Sequence, residues 1–191
     1  MSKASAKLLK VNFNVPLILV LSVIPDIDLL FDFLLKTEIH RGPTHSVITA
    51  ILVFIPFFVL YRQKAVPYFT ALISHSLIAD FLIGGQLQLL WPLSTNEFGF
   101  PYINIYDPIN IALEFTLFII ALVVMLKTRD LFHFFRDSKL TLILAIPIFT
   151  VLLPTFTGYP LSVPILLVLP HLFYLMLFSI SILITLKGIL K

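Results

Sequence analysis

The sequence predicts an all-α integral membrane protein, a bundle of about six transmembrane helices. Three observations carry this expectation. Of 191 residues, 59% are hydrophobic and only 12% charged, and mean hydropathy is +1.05, beyond the near-even apolar share of soluble domains. Such a chain has too little polar side chain to keep its surface wet. The apolar excess includes 19 Phe, and it is gathered into runs long enough to cross a hydrocarbon core of about 30 Å.

The runs fall at about 11 to 31, 44 to 61, 65 to 83, 108 to 126, 140 to 158 and 161 to 186. Asp26 and Asp28 interrupt the first. Lys3, Lys7 and Lys10 precede it without a small-residue cleavage site, so it reads as a retained anchor rather than a signal peptide. Glu114 lies well inside the fourth run, where it suits a general base, a ligand or a helix-pairing acid equally. The last run carries Pro164 and Pro170 and is expected to kink. His171 follows Pro170, where an imidazole can bond a carbonyl that proline frees. Residues 1–191 read as a single membrane domain. Its motif-bearing half covers about 20–93, and its C-terminal helices cover about 108–186.

Charge sets the expected orientation. Six spans would put eleven of the 13 Lys and Arg residues on one face and leave only Lys36 and Arg41 on the other. By the positive-inside rule both termini are then cytoplasmic, with the loops from Asp32 to Pro43 and from Gly84 to Asp107 outside the cytoplasm. Trp91, Tyr102 and Tyr106 in the second loop suit the headgroup zone. Gly84 and Gly85 suit the end of the third run rather than a phosphate cradle.

The sequence has no Cys, so disulfides, thiolate nucleophiles and zinc thiolate sites are excluded. Any metal must be held by nitrogen and oxygen. The net charge of +3 shows no nucleic-acid patch.

Ionisable residues at spanning helices are costly unless paired, hydrated or bound to a metal. Here they cluster. Asp26 and Asp28 lie near the outer end of the first run, His40, Arg41 and His45 at the outer loop and the start of the second, and His75 and Asp80 in the outer half of the third. The charge count and these motifs therefore point to the same leaflet independently. Two carboxylates spaced Asp-x-Asp can bridge or flank metal ions, and imidazoles add nitrogen ligands, a set that suits zinc or manganese better than calcium. Gly42 and Pro43 break the helix so that both neighbouring imidazoles can turn to one point. Arg41 beside such a site suits an anionic substrate, because guanidinium binds phosphate oxygens bidentately.

The stretches Pro25-Asp26-Ile27-Asp28, His40-Arg41-Gly42 with Thr44-His45-Ser46, Ser74-His75 with Asp80, and Leu89-Leu90-Trp91-Pro92 resemble the membrane-bound metal-dependent hydrolases. That family includes the LexA-regulated inner-membrane hydrolase of enteric bacteria (YdjM-like proteins). The resemblance covers roughly residues 20 to 93, and it is distantly similar to zinc-dependent phospholipase C and S1/P1-type nucleases. That distant likeness implies phosphoester hydrolysis at a multinuclear zinc site.

The candidate metal ligands are Asp26, Asp28, His40, His45, His75 and Asp80, with Asp28, Arg41 and His45 as catalytic candidates. Zinc is the expected ion and manganese the alternative. The expected partner is membrane lipid, with an anionic, lipid or lipid-linked substrate, because a soluble substrate would not require a cluster built on membrane helices. Two departures from the family's pattern stand out. Members usually carry an early His, and this chain has none before His40. A spacing of four is expected between the His and Asp of the third run, but His75 and Asp80 are five apart, about 140° on an ideal helix. A π-bulge would bring Asp80 back round, or Asp80 would act as a partner to His75.

Other readings use the same residues. A hydrogen-bonded network joining helices is the plain structural one, an ion or small-solute transporter the main one from another class, and a non-catalytic, metal-stabilised membrane protein the third.

Overall fold

The structure, a computed structural model, describes residues 1–100, 106–157 and 163–190. Its named elements are all helical. Among the described residues there is no strand, and an isolated bridge pairs Leu87 with Phe98. The chain divides into two compact units, Met1–Asn14 with Ile18–Tyr102, and Val15–Leu17 with Ile103–Lys191.

In the first unit, α1 (Ser2–Leu9) packs along α5 (Val66–Ser74). Ser5 Oγ lies 3.1 Å from Thr70 Oγ1, and the Asn14 amide donates to the Tyr68 hydroxyl at 3.0 Å. The stretch expected as the first span is broken. It forms α2 (Val15–Leu21), a 3₁₀ turn (Ile24–Ile27) and α3 (Asp28–Leu35). Val23 leaves helical geometry at φ −129°, Pro25 has no amide to continue the ladder, and the Asp26 amide bonds back to Val23 at 3.1 Å. The break sets Asp26 and Asp28 on a turn rather than along a continuous helix.

The expected second and third runs form a hairpin. Its arms are α4 (Val47–Tyr61) and α5, the latter extended by a π-helical segment, His75–Gly84. Arg62 reverses the chain at φ 51°, and Phe54 of one arm stacks on Phe69 of the other at 4.3 Å. Gly85, at φ 110°, ends the third run, where the Gly84-Gly85 pair was expected to end it.

In the second unit, α6 (Pro108–Lys127) begins at an Asp107 cap that accepts from the Ile109 amide at 2.8 Å. Residues Lys139–Leu144 form a 3₁₀ turn and continue through α7 (Ala145–Pro147), a π turn (Ile148–Leu152) and α8 (Leu153–Thr157). The last helix, α9 (Ile165–Ile189), runs through Pro170. Ser181 Oγ donates to the Phe134 carbonyl at 2.5 Å, and Phe134 stacks on Phe178.

Four helical stretches among the described residues are long and apolar enough to cross a membrane: Val47–Leu82, Pro108–Lys127, Lys139–Phe156 and Ile165–Ile189. The first of these is the folded hairpin, and the broken run at 11 to 31 is not among them. The expectation of about six spans therefore stands at four by length and composition. Residues 158, 161 and 162, at the edges of the fifth and sixth expected runs, lie outside the described residues, as does Tyr102. On α4, Leu52, Ile55, Phe57 and Leu60 are all at least half exposed although they point in different directions, the pattern of a helix surrounded by lipid rather than water.

Candidate metal centre

Three local devices bring the ionisable side chains of the first unit together. Asp28 opens α3, where a helix N-terminus favours a carboxylate, and its side chain is fully buried. His45 closes a 3₁₀ turn, Pro43–His45, preceded by Gly42. A β-carbon at Gly42 would sit 2.9 Å from the Ile39 carbonyl oxygen, so only glycine fits this turn. The π-helical segment carries His75 and Asp80. Its wider winding returns a residue five positions on to the same face, and Asp80 Oδ2 lies 3.3 Å from His75 Nε2.

The structure places His45 Nε2 3.3 Å from Asp26 Oδ1 and 3.4 Å from Asp80 Oδ2, and His75 Nε2 3.2 Å from the same Asp26 oxygen. Around an ion with tetrahedral bonds near 2.0–2.1 Å, neighbouring ligand atoms are about 3.3–3.4 Å apart. The four nitrogen to oxygen separations, 3.2–3.4 Å, are close to that spacing, and atoms of Asp26, His45 and His75 all lie within 4.8 Å of one another.

The hydrogen bonds on the far sides of the rings fix which nitrogens face inward. His75 Nδ1 lies 2.8 Å from the Ser22 carbonyl, which can only accept, so Nδ1 carries the proton. Thr44 Oγ1 donates to Asp28 Oδ2, spending its only proton. His45 Nδ1, 3.0 Å from that hydroxyl and 3.2 Å from Asp28 Oδ2, must therefore donate as well. In neutral imidazoles both Nε2 atoms thus turn their lone pairs toward carboxylate oxygens. Acceptors facing acceptors require a proton or a cation between them. Asp80 Oδ2 is buried and has no hydrogen-bond partner, which is the state expected of a ligand atom. With neutral imidazoles, Asp26 and Asp80 supply two negative charges, matching a divalent ion.

A second group joins through His45. His40 Nδ1 lies 2.9 Å from Asp28 Oδ1, and the His40 and His45 rings meet edge to face at 5.1 Å. Two sets of three could each hold an ion, Asp26 with His45 and His75, and Asp28 with His40 and His45. Asp80 belongs to neither set but lies 3.4 and 3.3 Å from His45 and His75, so all six sequence candidates are in one cluster.

Asp28 and His45 lie outside the four candidate spans. Burial alone would raise the Asp28 carboxyl, but hydrogen bonds from His40, His45 and Thr44 outweigh it and hold it at about 2. Burial alone would lower His45. Bonds to Asp26 and Asp28 and the charge of Asp80 raise it instead to about 9, the response of an imidazole among carboxylates that lack another cation.

Arg41 sits next in the chain to His40, with its backbone at φ 62° and its carbonyl accepting from the Gln88 amide at 2.9 Å. Its Nε is buried without a hydrogen-bond partner.

Three features escaped sequence reasoning. Asp32 accepts from Thr37 Oγ1 at 2.7 Å and from the amides of Ile39 and His40 at 2.9 and 3.0 Å, so it shapes the loop that delivers His40. Its spacing of four from Asp28, on one helix face, was the available signal. The Ser22 carbonyl, which orients His75, has no sequence signal. The Leu89-Leu90-Trp91-Pro92 stretch serves as a brace: Ser46 caps α4 through the amides of Ile48 and Thr49 and donates to the Trp91 carbonyl at 2.6 Å.

Glu114 belongs to the second unit, where it accepts from Asn110 Nδ2 at 2.6 Å. His171 bonds the Leu167 carbonyl at 2.7 Å, the one in its own turn, rather than the Leu166 carbonyl that Pro170 leaves free.

Compared with known proteins, residues 2–159 match a family model described as YdjM inner membrane protein. No curated protein and no solved structure matches the chain.

Proposed function

Since the chain belongs to the YdjM inner membrane protein family, we propose that it is a membrane-embedded metal-dependent hydrolase. Its substrate in this reading is a phosphoester on a lipid or lipid-linked molecule, met at the extracytoplasmic face with both termini in the cytoplasm. Zinc, or else manganese, is the ion, and the cluster of Asp26, Asp28, His40, His45, His75 and Asp80 is its site. The observation that carries the reading is the convergence of two imidazole Nε2 atoms and two carboxylate oxygens at 3.2–3.4 Å.

A divalent ion supplies Lewis acidity and lowers the pKa of bound water to about 7. The chain's own residues do the rest. The Ser22 carbonyl and the Thr44–Asp28 pair aim the two imidazoles, and Asp26 and Asp80 balance the ion's charge. The Arg41 guanidinium, whose Nε has no internal partner, holds a phosphoryl oxygen through its fork. A headgroup reaches this depth sideways, without leaving the leaflet.

The test is turnover of candidate phosphoesters by purified protein in lipid with zinc or manganese, before and after chelation. Asp26→Asn and His75→Ala should abolish it. Arg41→Lys should mainly raise KM, because Lys keeps the charge and loses the fork. Hydrolysis that persists unchanged under chelation and in both ligand variants would overturn the proposal.

A further inference from the structure

The two three-residue groups share His45, and one imidazole cannot donate a proton from Nδ1 and also ligate through Nδ1. His45 Nδ1 donates to Thr44 and Asp28, which removes it from the second group as a ligand. What remains there is a pair, His40 and Asp28. Asp28 is fully buried and has both oxygens engaged. Oδ1 takes His40 Nδ1 at 2.9 Å, while Oδ2 takes Thr44 and, at 3.2 Å, His45 Nδ1.

One carboxylate therefore orients two imidazoles through the same ring atom. His45, wholly buried, is left with Nε2 directed at Asp26 and Asp80. His40, whose side chain is 23% exposed, is left with Nε2 on the edge away from the buried carboxylate.

We propose that the chain holds one divalent ion, ligated by Asp26, His45, His75 and Asp80. Asp28 is then a positioning residue outside the ion's shell, and His40 is a part-exposed imidazole whose Nε2 accepts a hydrogen bond from a water or hydroxyl donor arriving beside Arg41. This rests on the proposed metal-dependent function and divides its six residues between two tasks. It also answers the missing early His: the inner set already has four atoms, and no further imidazole is required to complete it.

Zinc-loaded wild-type protein in detergent, read by X-ray absorption, should show one ion per chain with two imidazole and two oxygen ligands. Cobalt titration of variants gives an independent reading. His40→Gln should still bind one ion with an unchanged visible spectrum. Asp28→Asn should bind one ion about 10 to 100-fold more weakly, as expected when the partner that orients a ligating His is lost. His75→Ala should bind none. Two ions per wild-type chain, three imidazoles on one ion, or loss of the ion from folded His40→Gln would overturn the inference while leaving the metal reading intact. Wild-type protein that binds no ion would instead overturn the proposed function itself.

Discussion

At the scale of single residues, the cluster depends on atoms beyond its own carboxylates and imidazoles. Asp32 receives three hydrogen bonds, two of them from backbone amides, and an amide in its place would turn a donor toward one of those donors. Asp32→Asn should therefore cost about 1–3 kcal/mol, read as a lowered Tm, and should loosen His40; an unchanged Tm would contradict this account of the loop. Gly42→Ala puts a methyl 2.9 Å from a backbone oxygen. It should weaken metal binding more than any substitution at exposed Asn96, measured by cobalt titration. His45 gives a pH dependence. In the ion-free protein its raised value, about 9 against an ordinary 6.5, means that imidazolium pairing stabilises the fold fully below pH 6.5 and is lost as pH passes 9. The same proton competes with an ion for Nε2. The Tm gain on adding zinc should thus be larger at pH 8 than at pH 6, and a gain independent of pH would count against His45 as a ligand. The sequence made the six ionisable residues legible as candidates because such groups are rare in apolar runs. It could not reveal Ser22, whose part is played by a backbone carbonyl.

At the scale of elements, spacing and winding decide whether Asp80 reaches the others. Five residues of ideal α-helix would point it about 140° from His75, and the π-helical segment His75–Gly84 removes that angle. A one-residue deletion between His75 and Asp80 leaves a separation of four, which shares a face in an α-helix, so ion binding should survive it. Insertion of one Ala at the same place lengthens the separation to six and should abolish binding. Equal tolerance of both changes, judged by ion stoichiometry, would show that the winding is irrelevant. Sequence spacing pointed to a bulge here as one of two solutions. The break at Val23 was not legible in the same way, because Asp26 and Asp28 signalled an interruption without giving its geometry. The hairpin was legible in outline. Arg62 and Lys64 punctuate two apolar runs, although α4, with 15 residues, is shorter than the roughly 20 that a full crossing needs.

At the scale of the whole molecule, composition alone identified a helical membrane protein, because burial cannot hide this much apolar surface in a chain of this length. Orientation rests on the uneven placement of Lys and Arg. A single Cys at Asn96 in the Cys-free background should be blocked by an impermeant thiol reagent added to intact cells; blocking only in inverted vesicles would reverse the orientation and move the site to the cytoplasmic face. Whether the Asp and His cluster holds a divalent ion is decided by elemental analysis of the purified protein. Wild-type protein should retain one zinc or manganese per chain after dialysis, and Asp26→Asn prepared in parallel should retain none. Wild-type protein that stays folded, carries no metal and takes up none on titration would contradict it.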